Sequence, residues 1–255
     1  MKIQARALFL FITIALASAF IVPMTKAATV QKSSKKTYTI FLVGDSMTFA
    51  LGPHASSLSR VLKNYYIEKN FVIDNYSEGA KNILSLPDML TRAWSIGGTA
   101  VFPAMTRDFD ILVIESYGQN PLSSLPLQEG LHEQEVTLDT VISNVHASHP
   151  NALVILYASV APSEKDYAKG VLDLTPAMRA QFAWERRAYM EGFINYAHKR
   201  GLPLLDVYHQ TLNKNGSLRT EFVNKKDYIH PSDFGAAYIQ DRLGQFIISH
   251  QFVQN

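Results

Sequence analysis

The 255-residue sequence contains no cysteine. This absence excludes disulfide bonds, thiolate metal sites, a cysteine nucleophile and an N-terminal lipid-modified cysteine. An exported form of the chain must therefore be stabilised by its core without covalent cross-links, although the lack of cysteine does not by itself identify a compartment. The sequence also has no internal repeats and no low-complexity segments.

Long apolar runs are equally scarce, and the conspicuous one lies at the N-terminus. Ala7–Val22 is uncharged and mostly apolar, and it follows Lys2 and Arg6. The run is shorter than the roughly 20 residues that a typical membrane-spanning helix needs. Small residues follow at a plausible cleavage point, so residues 1–27 are predicted to be a signal peptide that is removed after Ala27. The alternative is an uncleaved N-terminal membrane anchor.

An excess of basic residues is also missing once that segment is set aside. It holds three of the 24 basic residues and no acidic one, which leaves 21 basic and 22 acidic residues. No basic patch with interleaved aromatic residues remains, so nucleic acid is not expected as a partner. Residues 28–36 form a polar linker, and residues 37–255 suit a single large α/β domain. Because residues 1–27 are predicted to be a signal peptide, we expect a secreted, periplasmic or cell-surface protein.

Apolar, β-rich runs alternate with helical patterns along residues 37–255. This alternation predicts a three-layer α/β/α sandwich with a central, mostly five-stranded parallel sheet, because helices between parallel strands cover both faces of a sheet. The predicted strands are Thr39–Val43, Phe71–Tyr76, Ile111–Glu115, Ala152–Tyr157 and Leu202–Val207. The predicted helices are Ser56–Glu68, Ile83–Trp94, Gln134–His149, Thr175–Arg200 and Ser232–His250. Loop-rich segments are expected at Ser95–Asp108, Pro121–His132 and Ala161–Leu174.

The tripeptide Gly44-Asp45-Ser46 follows the first predicted strand directly. Open α/β sheets bind ligands at the carboxyl ends of their strands, so Ser46 stands where a nucleophile is expected. The same three residues are also ordinary turn composition. Serine becomes a good nucleophile only when a base takes its proton, so the remaining sequence must supply that base.

His230 is the candidate base, in the segment Asp227-Tyr228-Ile229-His230-Pro231. A carboxylate three residues before a histidine on a constrained turn can accept a hydrogen bond from Nδ1 and leave Nε2 facing a serine, which is the logic of a Ser-His-Asp triad. The competing interpretation is a helix-capping loop in which Asp227 is solvated.

Two further strand ends offer donors for an oxyanion hole, which stabilises the negative charge of a tetrahedral intermediate. Gly79 follows the second predicted strand, where its backbone N–H can point into the site, and Asn120 follows the third, where its side-chain amide is a neutral donor. Together with the Ser46 N–H they make three donors. Taken singly, Gly79 and Asn120 are most simply turn residues.

In combination and in this order, the four segments resemble the blocks of the SGNH (GDSL-type) hydrolase family over residues 37 to 250. The resemblance implies a flavodoxin-like sheet, Ser46 as nucleophile, Asp227 and His230 as its partners, and an oxyanion hole of Ser46, Gly79 and Asn120. It implies Asp45 as structural support, and neither a metal nor an organic cofactor. Two departures stand out. Pro121 follows Asn120 where the family often has aspartate, and Gly52 lies later than the family's usual glycine.

The leading functional expectation is an exported serine esterase that acts on a small ester or an acylated carbohydrate, with short acyl groups such as acetyl favoured. An acyltransferase on envelope glycans, a lipase or a thioesterase would use the same residues. A catalytically silent cell-surface binding module is the non-enzymatic alternative. A metal enzyme is disfavoured, since no second histidine lies at ligand spacing beside Asp227 and His230. Membrane contact is expected only through an uncleaved N-terminal segment.

Some aromatic residues could form a sugar-stacking surface, but at helical or strand spacing such residues more often belong to a core. They are Tyr65, Tyr66, Trp94, Phe102 and Trp184. Tyr117, beside Gly118, is the aromatic residue expected near the site.

Overall fold

The structure is a computed structural model that describes residues 35–254. The predicted signal peptide and most of the predicted linker lie outside these residues, so both stay predictions. The described α-helices and strands, in chain order, are β1 (Thr37–Val43), α1 (Ser46–Phe49), α2 (Ser56–Tyr65), β2 (Asn70–Asn75), α3 (Leu86–Thr91), β3 (Trp94–Ile96), β4 (Thr99–Val101), β5 (Ile111–Glu115), α4 (Leu127–Ser148), β6 (Leu153–Ala158), α5 (Pro176–Arg200), β7 (Leu204–Asp206), α6 (Val207–Gln210) and α7 (Asp233–Ser249).

Five strands form a central sheet in the order β2-β1-β5-β6-β7, and each neighbouring pair is parallel. The predicted five-stranded parallel sheet is therefore confirmed. From β1 the chain moves outward to β2 and then returns to β5 on the other side of β1. Strand order thus reverses between β1 and β5, and the crevice at the carboxyl ends of these two strands is where such sheets bind ligands.

Helices lie on both faces of the sheet, as predicted. Right-handed crossovers place a helix on one face when the chain moves in one direction along the sheet and on the other face when it moves back. In agreement, α2 packs with α7, whereas α4 packs with α3 and α5. All five residues of β5 are buried, as expected for a strand covered on both faces.

The last helix completes the first turn of α2. Ala55 precedes α2 with a left-handed backbone and offers no side-chain cap. Instead, Gln240 of α7 accepts hydrogen bonds at Oε1 from the backbone N–H groups of Ser57, at 3.1 Å, and Leu58, at 3.3 Å. Because the first N–H groups of a helix have no partner within it, α7 supplies a cap that the local sequence lacks.

The segment around Trp94 corrects the predicted boundaries. Trp94 was expected to end a helix and Ser95–Asp108 to be a loop, but β3 and β4 form an antiparallel hairpin. Gly97 and Gly98 make its two-residue turn, with φ of +57° and +82°. A Gly-Gly pair between two short β-prone runs is a hairpin signal that the sequence contains.

A second correction concerns α4. It begins at Leu127, so the loop predicted to extend to His132 is shorter than expected. Between Ala161 and Leu174 the described chain has turns without helix or strand, which confirms the third predicted loop.

Candidate active site

Ser46 lies at the carboxyl end of β1, as the first residue of α1, and is partly accessible to solvent. Asp45 caps this helix by accepting a hydrogen bond from Met47 N at 2.8 Å. A Cβ atom at Gly44 would lie 2.5 Å from Thr48 Oγ1 and 2.6 Å from Glu115 Cβ. Only glycine therefore allows the end of β1 to approach β5 this closely.

Gly79 lies beside Ser46, as the sequence predicted. The loop after β2 is held against the end of β1 by a hydrogen bond from Glu78 N to Gly44 O, at 3.2 Å. A Cβ atom built at Gly79 would lie 3.8 Å from Ser46 Cβ, in ordinary van der Waals contact. The backbone of Gly79 therefore packs directly beside the predicted nucleophile.

Asn120 is brought to the same place through Asp45. The Asn120 side-chain amide donates from Nδ2 to Asp45 Oδ2 at 2.7 Å, and the Asn120 backbone N–H donates to Tyr117 O at 3.0 Å. A primary amide has two hydrogen atoms to donate, so one remains for a ligand. The resemblance implies a supporting role for Asp45, and this hydrogen bond identifies the Asn120 side chain as the group that Asp45 supports.

A buried pair of carboxyl groups underlies the site, and sequence reasoning did not find it. Asp45 and Glu115, at the ends of β1 and β5, are both fully buried. Asp45 N lies 3.4 Å from Glu115 Oε2, and Ser116 Oγ donates to Glu115 Oε1 at 2.6 Å. The contact of Asp45 N with Glu115 Oε2 therefore joins the ends of β1 and β5.

Burial raises the pKa of Asp45 well above its ordinary value, and the adjacent Glu115 carboxyl raises it further. Burial also raises the pKa of Glu115, although hydrogen bonds, that of Ser116 foremost, oppose the shift. Two carboxylates this close cannot both be ionised cheaply in a low-dielectric interior. Burial and mutual repulsion therefore favour protonation of one member of the pair more than they would for solvent-exposed carboxyl groups.

Asp227 and His230 form the predicted pair on the loop before α7. His230 Nδ1 lies 3.0 Å from Asp227 Oδ2, while Asp227 Oδ1 accepts from the backbone N–H groups of Ile229, at 2.8 Å, and His230, at 3.0 Å. Partial burial pushes the pKa of Asp227 upwards, but these hydrogen bonds outweigh it, and the net pKa lies below the ordinary value. An ionised Asp227 accepts from Nδ1–H, which makes Nε2 the free acceptor of the ring.

A second Asp-x-x-His segment, Asp206 to His209, has the same spacing and a similar contact, with Nδ1 of His209 2.7 Å from Asp206 Oδ2. In that pair His209 Nε2 is occupied, since it lies 3.2 Å from Glu191 Oε1. Within residues 35–254, Nε2 of His230 has no such partner. Only the pair at Asp227 thus leaves an acceptor nitrogen available.

The structure does not join all the predicted residues directly. Among the hydrogen bonds of the described chain, none links Ser46 to His230. Contacts between a nucleophile and its base are often long before substrate binds. The triad therefore stays a prediction that rests on two assembled halves, Ser46 with Gly79, Asp45 and Asn120, and His230 with Asp227.

Most of the aromatic residues that were expected to belong to the core are not buried. Tyr66 is buried in the core, but Tyr65, Phe102 and Trp184 are largely exposed and Trp94 is half-buried. Tyr117 is near the site, since its carbonyl oxygen accepts from Asn120 N, but its ring is buried and its hydroxyl lies 3.5 Å from Met89 Sδ.

In the part of the chain that the structure describes, no group of three or more His, Asp or Glu side chains is arranged to hold a metal ion. The helices within residues 35–254 include none with the length and apolar character required to cross a bilayer.

Sequence comparison finds no matching family model and no matching curated protein. Solved structures, however, match most of the chain. A protein described as a GDSL-like lipase from Parabacteroides merdae aligns with a TM-score of 0.60 and 12% identity, over 88% of this chain and 99% of its own. The chain has the fold of the GDSL-type hydrolases.

Two further solved structures with this fold are of proteins that are described by an activity. A lipase/acylhydrolase from Enterococcus faecalis aligns with a TM-score of 0.56 and 16% identity, over 84% of this chain and 96% of its own. A variant of an acetyl-xylooligosaccharide esterase from a Geobacillus species aligns with a TM-score of 0.54 and 16% identity, over 84% and 95%. At these identities the similarity establishes the fold, and the chemistry must be argued from the residues.

Proposed function

We propose that this protein is a serine esterase of the SGNH type, in which Ser46 is the nucleophile, His230 the base and Asp227 the group that orients the base. The observation that carries the proposal is the free Nε2 of His230, held by the contact of Nδ1 with Asp227 at 3.0 Å. The similar pair at His209 has its second nitrogen occupied. A general base needs that lone pair to accept the proton of serine.

The proposed reaction has two halves. His230 takes the Ser46 proton while Ser46 Oγ attacks the ester carbonyl, and the oxyanion is stabilised by the N–H groups of Ser46 and Gly79 and the free amide hydrogen of Asn120. The tetrahedral intermediate collapses, the alcohol leaves with the proton from His230, and an acyl-enzyme remains. A water molecule, deprotonated by His230, then releases the acid and restores Ser46.

For the substrate we propose short acyl groups, acetyl foremost, on a carbohydrate outside the cytoplasm. The predicted signal peptide supports the location, and the fold likeness to an acetyl-xylooligosaccharide esterase supports the chemistry. The likeness to lipases favours a second candidate with the same residues but long acyl chains. Cleavage of p-nitrophenyl esters from acetate to palmitate separates the two, because a maximum at long chains would replace the acetyl assignment with a lipase.

Replacement of the nucleophile tests the esterase itself. Ser46→Ala should abolish hydrolysis of p-nitrophenyl acetate and labelling by a fluorophosphonate probe, while Ser123→Ala, in an exposed loop, should change neither. Retained hydrolysis by pure Ser46→Ala protein would refute the assignment. A folded wild-type protein that neither hydrolyses esters nor reacts with the probe would instead be a binding module.

A further inference from the structure

A cavity of about 340 Å³ is lined in part by residues that lie between Ser46 and Gly79 in the chain. This volume falls in the usual range for small-molecule sites. Its walls come from the end of α1, the loop after it, the end of β2 and the β3–β4 hairpin. The lining residues that matter here are Phe49, Asn75, Ser77, Trp94 and the Gly97-Gly98 turn.

Two lining residues of the cavity lie on the segments that carry the predicted nucleophile and one predicted oxyanion donor. Phe49 is one helical turn after Ser46 on α1. Ser77 is two residues before Gly79, whose backbone lies beside Ser46. The cavity walls are thus joined through the chain both to Ser46 and to Gly79.

An aromatic wall gives the cavity its apolar character. The guanidinium group of Arg92 lies 4.1 Å from the centre of the Trp94 ring and also forms an ion pair with Glu78, on the Gly79 loop. Trp94 is thereby fixed against that loop, while it still lines the cavity. Phe49 contributes a second, largely exposed ring. Flat apolar surfaces of this kind can pack against the face of a sugar ring that carries C–H groups.

The cavity also contains an unused polar group. Ser77 is 2% exposed, and its Oγ has no hydrogen-bond partner among residues 35–254. Neighbouring Asn75 has no N–H left to donate to Ser77 Oγ, since its Nδ2 already donates to Thr48 O and Gly52 O, while its Oδ1 accepts from Ser77 N. A buried hydroxyl without a partner is costly, and a ligand hydroxyl reached by rotation about the Ser77 χ1 bond would remove that cost, whereas an alkyl chain would not.

We propose that this cavity binds the sugar ring of the substrate, the alcohol portion of the ester, with Trp94 and Phe49 against the ring face and Ser77 bonded to a ring hydroxyl. The inference rests on the proposed function, because it assumes that an ester reaches Ser46. It goes further in assigning the carbohydrate to a defined set of residues and in excluding this cavity as the site of a long acyl chain.

Sugar binding can be measured without catalysis. The chain has only two tryptophans. Trp184→Phe therefore leaves Trp94 as the sole indole, and Trp94→Phe leaves only Trp184, which is 53% exposed on α5. Titration with unacetylated xylotetraose, cellotetraose and chitotetraose should produce a saturable change in the emission of Trp94 with at least one sugar and none in that of Trp184. An unchanged Trp94 emission with all three sugars would overturn the proposal.

Ser77→Ala tests the hydroxyl. We expect sugar affinity to fall about threefold to tenfold, the usual effect of one hydrogen bond. The unfolding temperature should stay unchanged or rise, because the variant removes an unpartnered buried group. Unchanged affinity would remove Ser77 from the site. A fall in both affinity and unfolding temperature would indicate a structural role and would also contradict the proposal.

Kinetics separate this inference from the proposed function. Trp94→Ala should raise KM for acetylated xylotetraose at least tenfold, and its loss of kcat/KM should be at least tenfold greater on that ester than on ethyl acetate, which has no ring. Equal losses on both esters, or a selective loss on p-nitrophenyl octanoate, would refute the sugar site. The Ser46→Ala protein should still bind the unacetylated sugar. Activity that survives Ser46→Ala would refute the esterase assignment while the fluorescence result stands by itself.

Discussion

The Asn120 side chain donates a hydrogen bond to Asp45 Oδ2 at 2.7 Å, so the predicted oxyanion donor is held by the residue that precedes the predicted nucleophile. Asp45 also caps α1, which begins with Ser46. One buried carboxyl group therefore fixes both the start of that helix and the direction of the amide.

This relationship predicts that Asp45 acts through Asn120. Asn120→Ala should lower kcat about 10²–10³-fold. Asp45→Asn should lower it less, because an amide has one acceptor oxygen for the two donors, Met47 N and Asn120 Nδ2, that Asp45 now satisfies. The double variant should be no slower than Asn120→Ala alone, as measured by kcat on p-nitrophenyl acetate.

Asn82→Ala is the matched control. Asn82 Oδ1 caps a 3₁₀ turn in the same way, by accepting from Leu84 N at 3.1 Å. Among the described residues, no hydrogen bond joins Asn82 to Asn120. Its loss should leave kcat unchanged. Losses from Asp45→Asn and Asn120→Ala that add in full would show that Asp45 does not work through the amide.

An added methyl group should destabilise the protein at one glycine of the site and leave its stability unchanged at the other. Gly44→Ala places a Cβ 2.6 Å from Glu115 Cβ, so the free energy of unfolding should fall by about 1–3 kcal/mol. Gly79→Ala meets nothing closer than Ser46 Cβ, at 3.8 Å, and should unfold like the wild type. Urea denaturation of both variants measures the difference, and equal stabilities would contradict the tight approach of β1 to β5.

The two Asp-x-x-His pairs provide an internal comparison for catalysis. Asp227→Asn should lower kcat about 10⁴-fold, because the amide favours the wrong tautomer of His230. Asp206→Asn removes the same kind of contact from His209, whose Nδ1 lies 2.7 Å from Asp206, and should leave kcat unchanged. Esterase assays of both variants decide which pair is catalytic. Loss of activity in the Asp206 variant alone would reverse the assignment.

The buried carboxyl pair predicts a pH-dependent stability. The folded-state pKa values of Asp45 and Glu115 lie above the ordinary values of 3.8 and 4.5, chiefly through burial. A raised pKa contributes stability that is complete below the unfolded value and is lost as pH rises through the folded value. The wild type should therefore lose stability relative to Glu115→Gln as pH increases from about 4 towards neutrality.

Thermal unfolding across that pH range measures the effect. Glu115→Gln keeps the side-chain shape and can donate to an ionised Asp45, so its stability should depend less steeply on pH. Parallel curves for the two proteins would show that the pKa values of the pair are not raised on folding.

The sheet was predictable from the sequence because its strands are short apolar runs with both faces covered, and Ile111–Glu115 coincides with β5. The predicted order of the blocks also placed Gly79 beside Ser46. The hairpin was missed because three-residue strands such as Trp94–Ile96 are too short for a clear alternation, although Gly97-Gly98 marks its turn.

The contacts of the site were harder to predict, because they join residues far apart in the chain. Nothing near Asp45 in sequence indicates that Glu115 lies against it or that Asn120 donates to it. Likewise, Asp206-x-x-His209 and Asp227-x-x-His230 are equivalent as motifs. Only the tertiary contact with Glu191 shows that one histidine has its second nitrogen occupied.

The cap that Gln240 places on α2 bears on when this chain can become active during synthesis. α2 and Ser46 are translated well before His230 and Gln240, which lie much later in the chain. A nascent chain thus lacks both the partner for the first turn of α2 and the base for its serine. The order of translation thus makes the capped α2 and the proposed pairing of Ser46 with His230 late products of folding, formed only once α7 is present.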